Sequence, residues 1–130
     1  MTADRSPADA KALTIRHVVS LVLLFLLSSL GFQAALGGVH SAETLGQQAH
    51  TAIQFAAAVA GMAAAVGLWA QRRWARLPLL MWAILITLTG GLAPVIWGGV
   101  GWTAGLGAGA ASAAIAGVIV WLAGGWQAEG

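Results

Sequence analysis

Four runs of about twenty residues, at 13–36, 51–70, 77–97 and 102–123, contain no acidic side chain, and the only basic ones in them, Arg16 and His17, sit near the start of the first. That pattern constrains the chain more than any motif in it. A bilayer core about 30 Å thick is crossed by roughly 20 apolar residues at about 1.5 Å each, and each run meets that length. Composition agrees. Of 130 residues, 59% are hydrophobic and only 8% charged, with a mean hydropathy of +0.84, where soluble domains carry about 25% charged residues. So little polar surface cannot cover a water-soluble globule. The expected fold is all-α: an integral-membrane four-helix bundle, up-down-up-down, in one domain with a short tail at 1–12.

Orientation follows from the basic residues. Arg5, Lys11 and Arg16 precede or open the first run, and Arg72, Arg73 and Arg76 lie between the second and third. The other two links hold neither Lys nor Arg, so the positive-inside rule places both termini in the cytoplasm. Trp69, Trp74 and Trp126 near one boundary, Trp97 and Trp102 near the other, and Trp82 and Trp121 a turn further in read as interfacial anchors. The first run resembles a signal peptide in its basic flank, but it exceeds the usual h-region of about 7–15 residues and is expected to stay as a helix.

Six Lys and Arg against four Asp and Glu form no basic tract, which excludes a nucleic-acid partner. With no cysteine, disulfides, thiolate metal sites, iron–sulfur clusters and c-type haem attachment are excluded too. No Asp, Glu or Lys sits within a span to relay protons or bind a cationic substrate. Ser28, Thr87, Thr89 and Ser112 are hydroxyls without an adjacent base, so no nucleophile pair is present.

Small residues mark where backbones approach. Ala57, Gly61 and Ala65 form a ladder of spacing four on the second span, and Gly105, Gly109, Ala113 and Gly117 another on the fourth. Such faces hold membrane helices together by close van der Waals packing, within one chain or between two. In the third span Pro78 suits a first turn, whereas Pro94 after Gly90 and Gly91 predicts a kink or an early end.

One stretch concentrates polar chemistry: "HSAETLGQQAH" at 40–50. A helix begun near Ser41 puts Glu43, Gln47, His50 and Gln54 on one face, and Thr44 with Gln47 reads as a capping box. Gln33 of the first span is the expected hydrogen-bond partner of Gln54. Read as packing, this is an interhelical polar seam. Read as a site, His40, Glu43 and His50 are the candidate ligands of a divalent metal, and His50, Gln54 and Gln33 the candidates for a quinone or lipid head. A b-type haem would need His50 with His40, since His17 lies at the other boundary. No motif predicts any of these cofactors.

The turn "GLWAQRRWAR" at 67–76, leading into a third span opened by Pro78, resembles that of small four-helix bacterial inner-membrane proteins, among which DoxX-like proteins are the best known. The resemblance covers size, span number and this turn. It implies an inner-membrane location and an accessory role beside a redox or envelope complex, and it carries over no functional residue. The leading expectation is a non-catalytic membrane subunit or scaffold, packing in the lipid bilayer as a homodimer or in a larger complex. The alternatives are an electron-transfer subunit holding quinone or haem and an uncoupled dimeric transporter of small solutes.

Overall fold

The computed structural model describes residues 7–99 and 101–127, and among them every regular element is helical. Arg5 and the side chains of Lys11 and Trp126 lie outside the described residues. The elements are α1 (Pro7–Ser41), α2 (Leu45–Trp69), a 3-10 turn (Arg73–Ala75), α3 (Arg76–Gly98) and α4 (Trp102–Gln127). Four of them are long and apolar enough to cross a membrane. Phe25, Ile84, Leu106 and Val118 are each more than half exposed, which is the outer surface such helices need in lipid.

α1 is 35 residues long, about 50 Å at 1.5 Å per residue, and overruns its predicted span at both ends. It continues through Gly37 and Gly38 to Ser41 as it packs along α2. Gly38 is required there by close approach: a Cβ on it would fall 2.5 Å from Thr51 Oγ1. The helix start expected near Ser41 is therefore corrected, since Ser41 closes α1 and α2 begins at Leu45. The capping box is where the sequence put it. Gln47 N–H donates to Thr44 Oγ1 at 3.1 Å, and Gln47 Oε1 accepts from the backbone N–H groups of Thr44 at 3.3 Å and Glu43 at 2.8 Å.

α2 ends on a Schellman arrangement. Arg72 N–H reaches Gly67 O at 2.8 Å and Gln71 N–H reaches Leu68 O at 3.1 Å. The left-handed position usually given to glycine is held by Gln71, at φ 55°. α3 keeps Pro78 in its first turn as expected. It does not end early at Pro94, however, but runs on to Gly98 and closes with Gly99, φ 64°, donating to Pro94 O. Pro94 removes a single hydrogen bond, and the flanking turns keep theirs.

Neighbouring helices pack in sequence, and α4 returns against α1. The pairing of α1 with α2 is antiparallel, since Gly38 meets Thr51, Gly31 meets Ala58 and Gly61 faces Ser28. The α2 ladder is internal, with Ala57, Gly61 and Ala65 all buried. The α4 ladder splits. A Cβ on Gly105 would lie 2.8 Å from Gly91 O, and one on Gly91 would lie 3.3 Å from the Gly109 Cα, whereas Gly117 has nothing within 4 Å and Ala113 is exposed. A spacing of four drifts about 40° per step against a 3.6-residue turn, so the ladder leaves the α3 contact after Gly109.

The apolar core gathers at the end that carries Arg16 and Arg72–Arg76, hereafter the arginine end. It is built from Leu24, Ala60, Ala64, Leu68, Leu79, Trp82, Ala116, Ile119 and their neighbours. Trp82, expected as an interfacial anchor, is 1% exposed and the largest fully buried side chain in the core. It fills the space that Gly61 leaves open: a Cβ there would lie 2.8 Å from Trp82 Cδ1 and would collide with Ser28 Oγ. Trp69, Trp74, Trp102 and Trp121 remain exposed.

Candidate functional site

At the far end, opposite the arginines, α2 carries the polar residues inward. His50 lies in its second turn, 2% exposed, and both ring nitrogens are engaged by α3. The Trp97 indole N–H donates to Nδ1 at 3.2 Å, which leaves the ring proton on Nε2, donating to the Thr89 carbonyl at 2.9 Å. The two rings meet edge to face, 6.3 Å between centroids at 74°. Thr89, itself buried, turns its hydroxyl to Ile86 O at 3.2 Å. His50 is thus a hydrogen-bonded clamp between α2 and α3. A metal or haem iron would have to displace one of these two partners to reach a ring nitrogen.

The remaining candidates disperse. His40 occupies the last turn of α1 and Glu43 the link after it, both exposed; among the described residues no three His, Asp or Glu side chains gather to hold a metal. The expected Gln33–Gln54 bond is not formed. Gln33 is exposed, while α1 turns Ala35 and Gly38 toward α2, and a separation of two residues on a helix is about 200° of rotation. Ser29, on the same side as Gln33, bonds its own helix at Phe25 O, 2.9 Å.

What surrounds His50 instead is a cleft of about 310 Å³ lined by Ala34, Gly37, Gly38 and Ser41 of α1, His50 and Gln54 of α2, and Ala93 and Trp97 of α3. Gln54 is half-buried, and neither its amide nor the Ser41 hydroxyl has a side-chain hydrogen bond among the described residues. No Lys, Arg, Asp or Glu lines it. A second buried polar group lies deeper: Ser28 Oγ, without a hydrogen-bond partner, in the core beside Gly61.

Sequence reasoning singled out His50 and Gln54 but missed Trp97 and Thr89. The available signal was depth: His50 lies five residues after the start of α2 and Trp97 one residue before the end of α3, which an antiparallel pair brings level. It also missed the brace at the other end, where Arg16 donates to Trp121 O at 2.6 Å and lies 4.2 Å from the centre of its ring.

No known protein family, curated protein or solved structure matches the chain.

Proposed function

We propose that this chain is a non-catalytic, multi-pass membrane protein, an accessory or scaffold subunit that docks a transmembrane helix of another polypeptide or of a second copy. The observation that carries this reading is the outward face of α4. Gly107, Ala110, Ala111, Ala114 and Gly117 fall within about 120° of one another at 100° per residue. All five are exposed, and a Cβ on Gly107 or Gly117 would meet nothing within 4 Å. The exposed surface of α1 is bulky by contrast, with Val22, Phe25 and Leu26. In lipid, helices associate where small residues let backbones approach, so the 107–117 stretch of α4 offers the docking face, while α1 and the bulky Leu106, Val118 and Trp121 of α4 offer lipid-facing surface. Arg16, Arg72, Arg73 and Arg76 falling at one end supports a cytoplasmic placement of both termini, and the resemblance supports the bacterial inner membrane.

The chain has no cysteine, so Ala114→Cys supplies a unique crosslinking handle in native membranes. A disulfide-linked dimer or a crosslinked second polypeptide is expected, abolished by Gly107→Leu with Gly117→Leu. A monomer under all conditions, with α4 substitutions silent, sinks the reading. Gly61 and Gly109, whose neighbours are inside the chain, report on folding instead.

A further inference from the structure

The cleft beside His50 lies between α1, α2 and α3, where the α1 face toward α4 is uncovered. The face of α1 that turns toward α4 carries Arg16, Leu23, Leu27, Leu30, Ala34, Gly37 and Ser41 at helical spacing. At the arginine end this face is covered: Arg16 is braced on Trp121, and Leu23 and Leu27 pack against the core. From Leu30 onward it is bare. Leu30 is 58% exposed, and Ala34, Gly37 and Ser41 are exposed after it. Over the same depth α4 packs closely on α3, through Gly105 and Gly109 against Gly91. The two helices therefore diverge toward the far end and leave a wedge open sideways.

The wedge is built unlike a lipid-filled gap. One wall is nearly free of side chains, at Ala34, Gly37 and Gly38, so a flat or small group can lie against backbone. The other carries the Trp97 indole and the His50 ring, held by their mutual hydrogen bond. Between them the Gln54 amide supplies two donors and an acceptor and the Ser41 hydroxyl one donor and an acceptor, none spent on a protein side chain. Ser41 is exposed and Gln54 half-buried, so a bound head would take the place of water at these groups. The lining has no charge to balance a phosphate, a carboxylate or an ammonium group, and both His50 nitrogens are taken. At about 310 Å³ the space is at the lower limit of small-ligand pockets, roughly 300–1,000 Å³, enough for a ring or a glycerol-sized head.

We propose that this cleft binds the uncharged, hydrogen-bonding head of a membrane amphiphile, held by Gln54 and Ser41 against the α1 glycines, with its apolar tail leaving past Leu30 between α1 and α4. The head is a hydroxyl or a carbonyl; charged lipids are refused for want of a counter-ion. This site is independent of the α4 docking face, so either can fail alone.

The test uses the full chain in phosphatidylglycerol nanodiscs with a photoreactive monoacylglycerol, and peptide mapping of the label. Unlabelled monooleoylglycerol, a decyl-substituted benzoquinone and oleate serve as competitors. Saturable labelling of 34–41 and 50–54 is expected, displaced by at least one neutral competitor and not by oleate. Displacement by monooleoylglycerol alone assigns a hydroxyl head, and by the benzoquinone alone a carbonyl head. Gln54→Leu should weaken labelling at least tenfold. Gly37→Leu should abolish it by filling the wedge, at a position where an added Cβ meets nothing within 4 Å. Ala52→Leu, in the groove on the other side of α2, should change nothing. Non-saturable labelling, equal displacement by oleate, or full labelling of both Gln54→Leu and a folded Gly37→Leu overturns the proposal. Should Gly37→Leu fail to fold, the Gln54→Leu result decides.

Discussion

The two ends of the bundle are held by different physics. At the arginine end, large apolar side chains interlock around Trp82, and four helices close on one another. At the far end the buried residues are small or polar: Ala35, Ala57, Ala58, His50, Thr51 and Thr89. There α2 and α3 are joined by directed hydrogen bonds, and α1 stands away from α4. In lipid, packing and hydrogen bonds both count, because exclusion from water no longer drives helix against helix. The tightly packed end closes the bundle around its core, and the looser end carries the cleft.

Removing the tryptophan of each end should expose the contrast. Trp82→Ala leaves a hole where a fully buried indole stood, and a loss of about 3–5 kcal/mol is expected from large-to-small core truncations. Reversible unfolding in mixed micelles measures it. A loss no greater than at an exposed tryptophan such as Trp102 would mean that the arginine end is not the stabilising core. Trp97→Phe keeps a ring at the far end but strips the N–H from His50 Nδ1, leaving a buried acceptor unpaired, for about 1–2 kcal/mol. The same variant should loosen α2 from α3, seen as faster amide exchange around Thr89; unchanged exchange there would show that the clamp does not hold the helices. The smallest effect is expected for Arg16→Gln, about 1 kcal/mol from the lost cation–π and carbonyl contacts. Its clearer consequence is geometric. Spin labels on α1 and α4 near Leu23 and Trp121 should separate until the arginine end resembles the far end, and an unchanged distance would assign the closure to the apolar core alone.

The helices themselves were legible from sequence because their cause is local and additive: each long apolar run needs an internally bonded backbone wherever it is buried in lipid or protein. The Thr44–Gln47 capping box was legible for the same reason, as a bond between near neighbours in the chain. Helix ends were less so. Gly37 and Gly38 read as a link, yet the chain stays helical through them because Gly38 is wedged against Thr51 of α2. Pro94 read as a kink or an early end, and α3 runs on past it to Gly98.

At the candidate site the sequence singled out polar residues but not the neighbours the structure gives them. His50 and Gln54 stood out as polar groups beside an apolar run, but a one-dimensional pattern does not say which neighbour a helix face meets. Gln33 and Gln54 share a depth and not a face, so their expected bond is absent. Trp97, expected as a membrane anchor, stays 36% exposed and is also the partner of His50.

Composition, the apolar runs and the distribution of arginines determine by themselves an all-helical chain with four helices fit to span a membrane, since those properties depend on each segment alone. Only the tertiary structure decided that Trp82 is core, that the α4 ladder splits between α3 and the surface, and that α1 and α4 close at one end and part at the other. These outcomes depend on the rotation and crossing of each helix against its neighbours, where a drift of about 40° per four residues moves a side chain from one partner to the next.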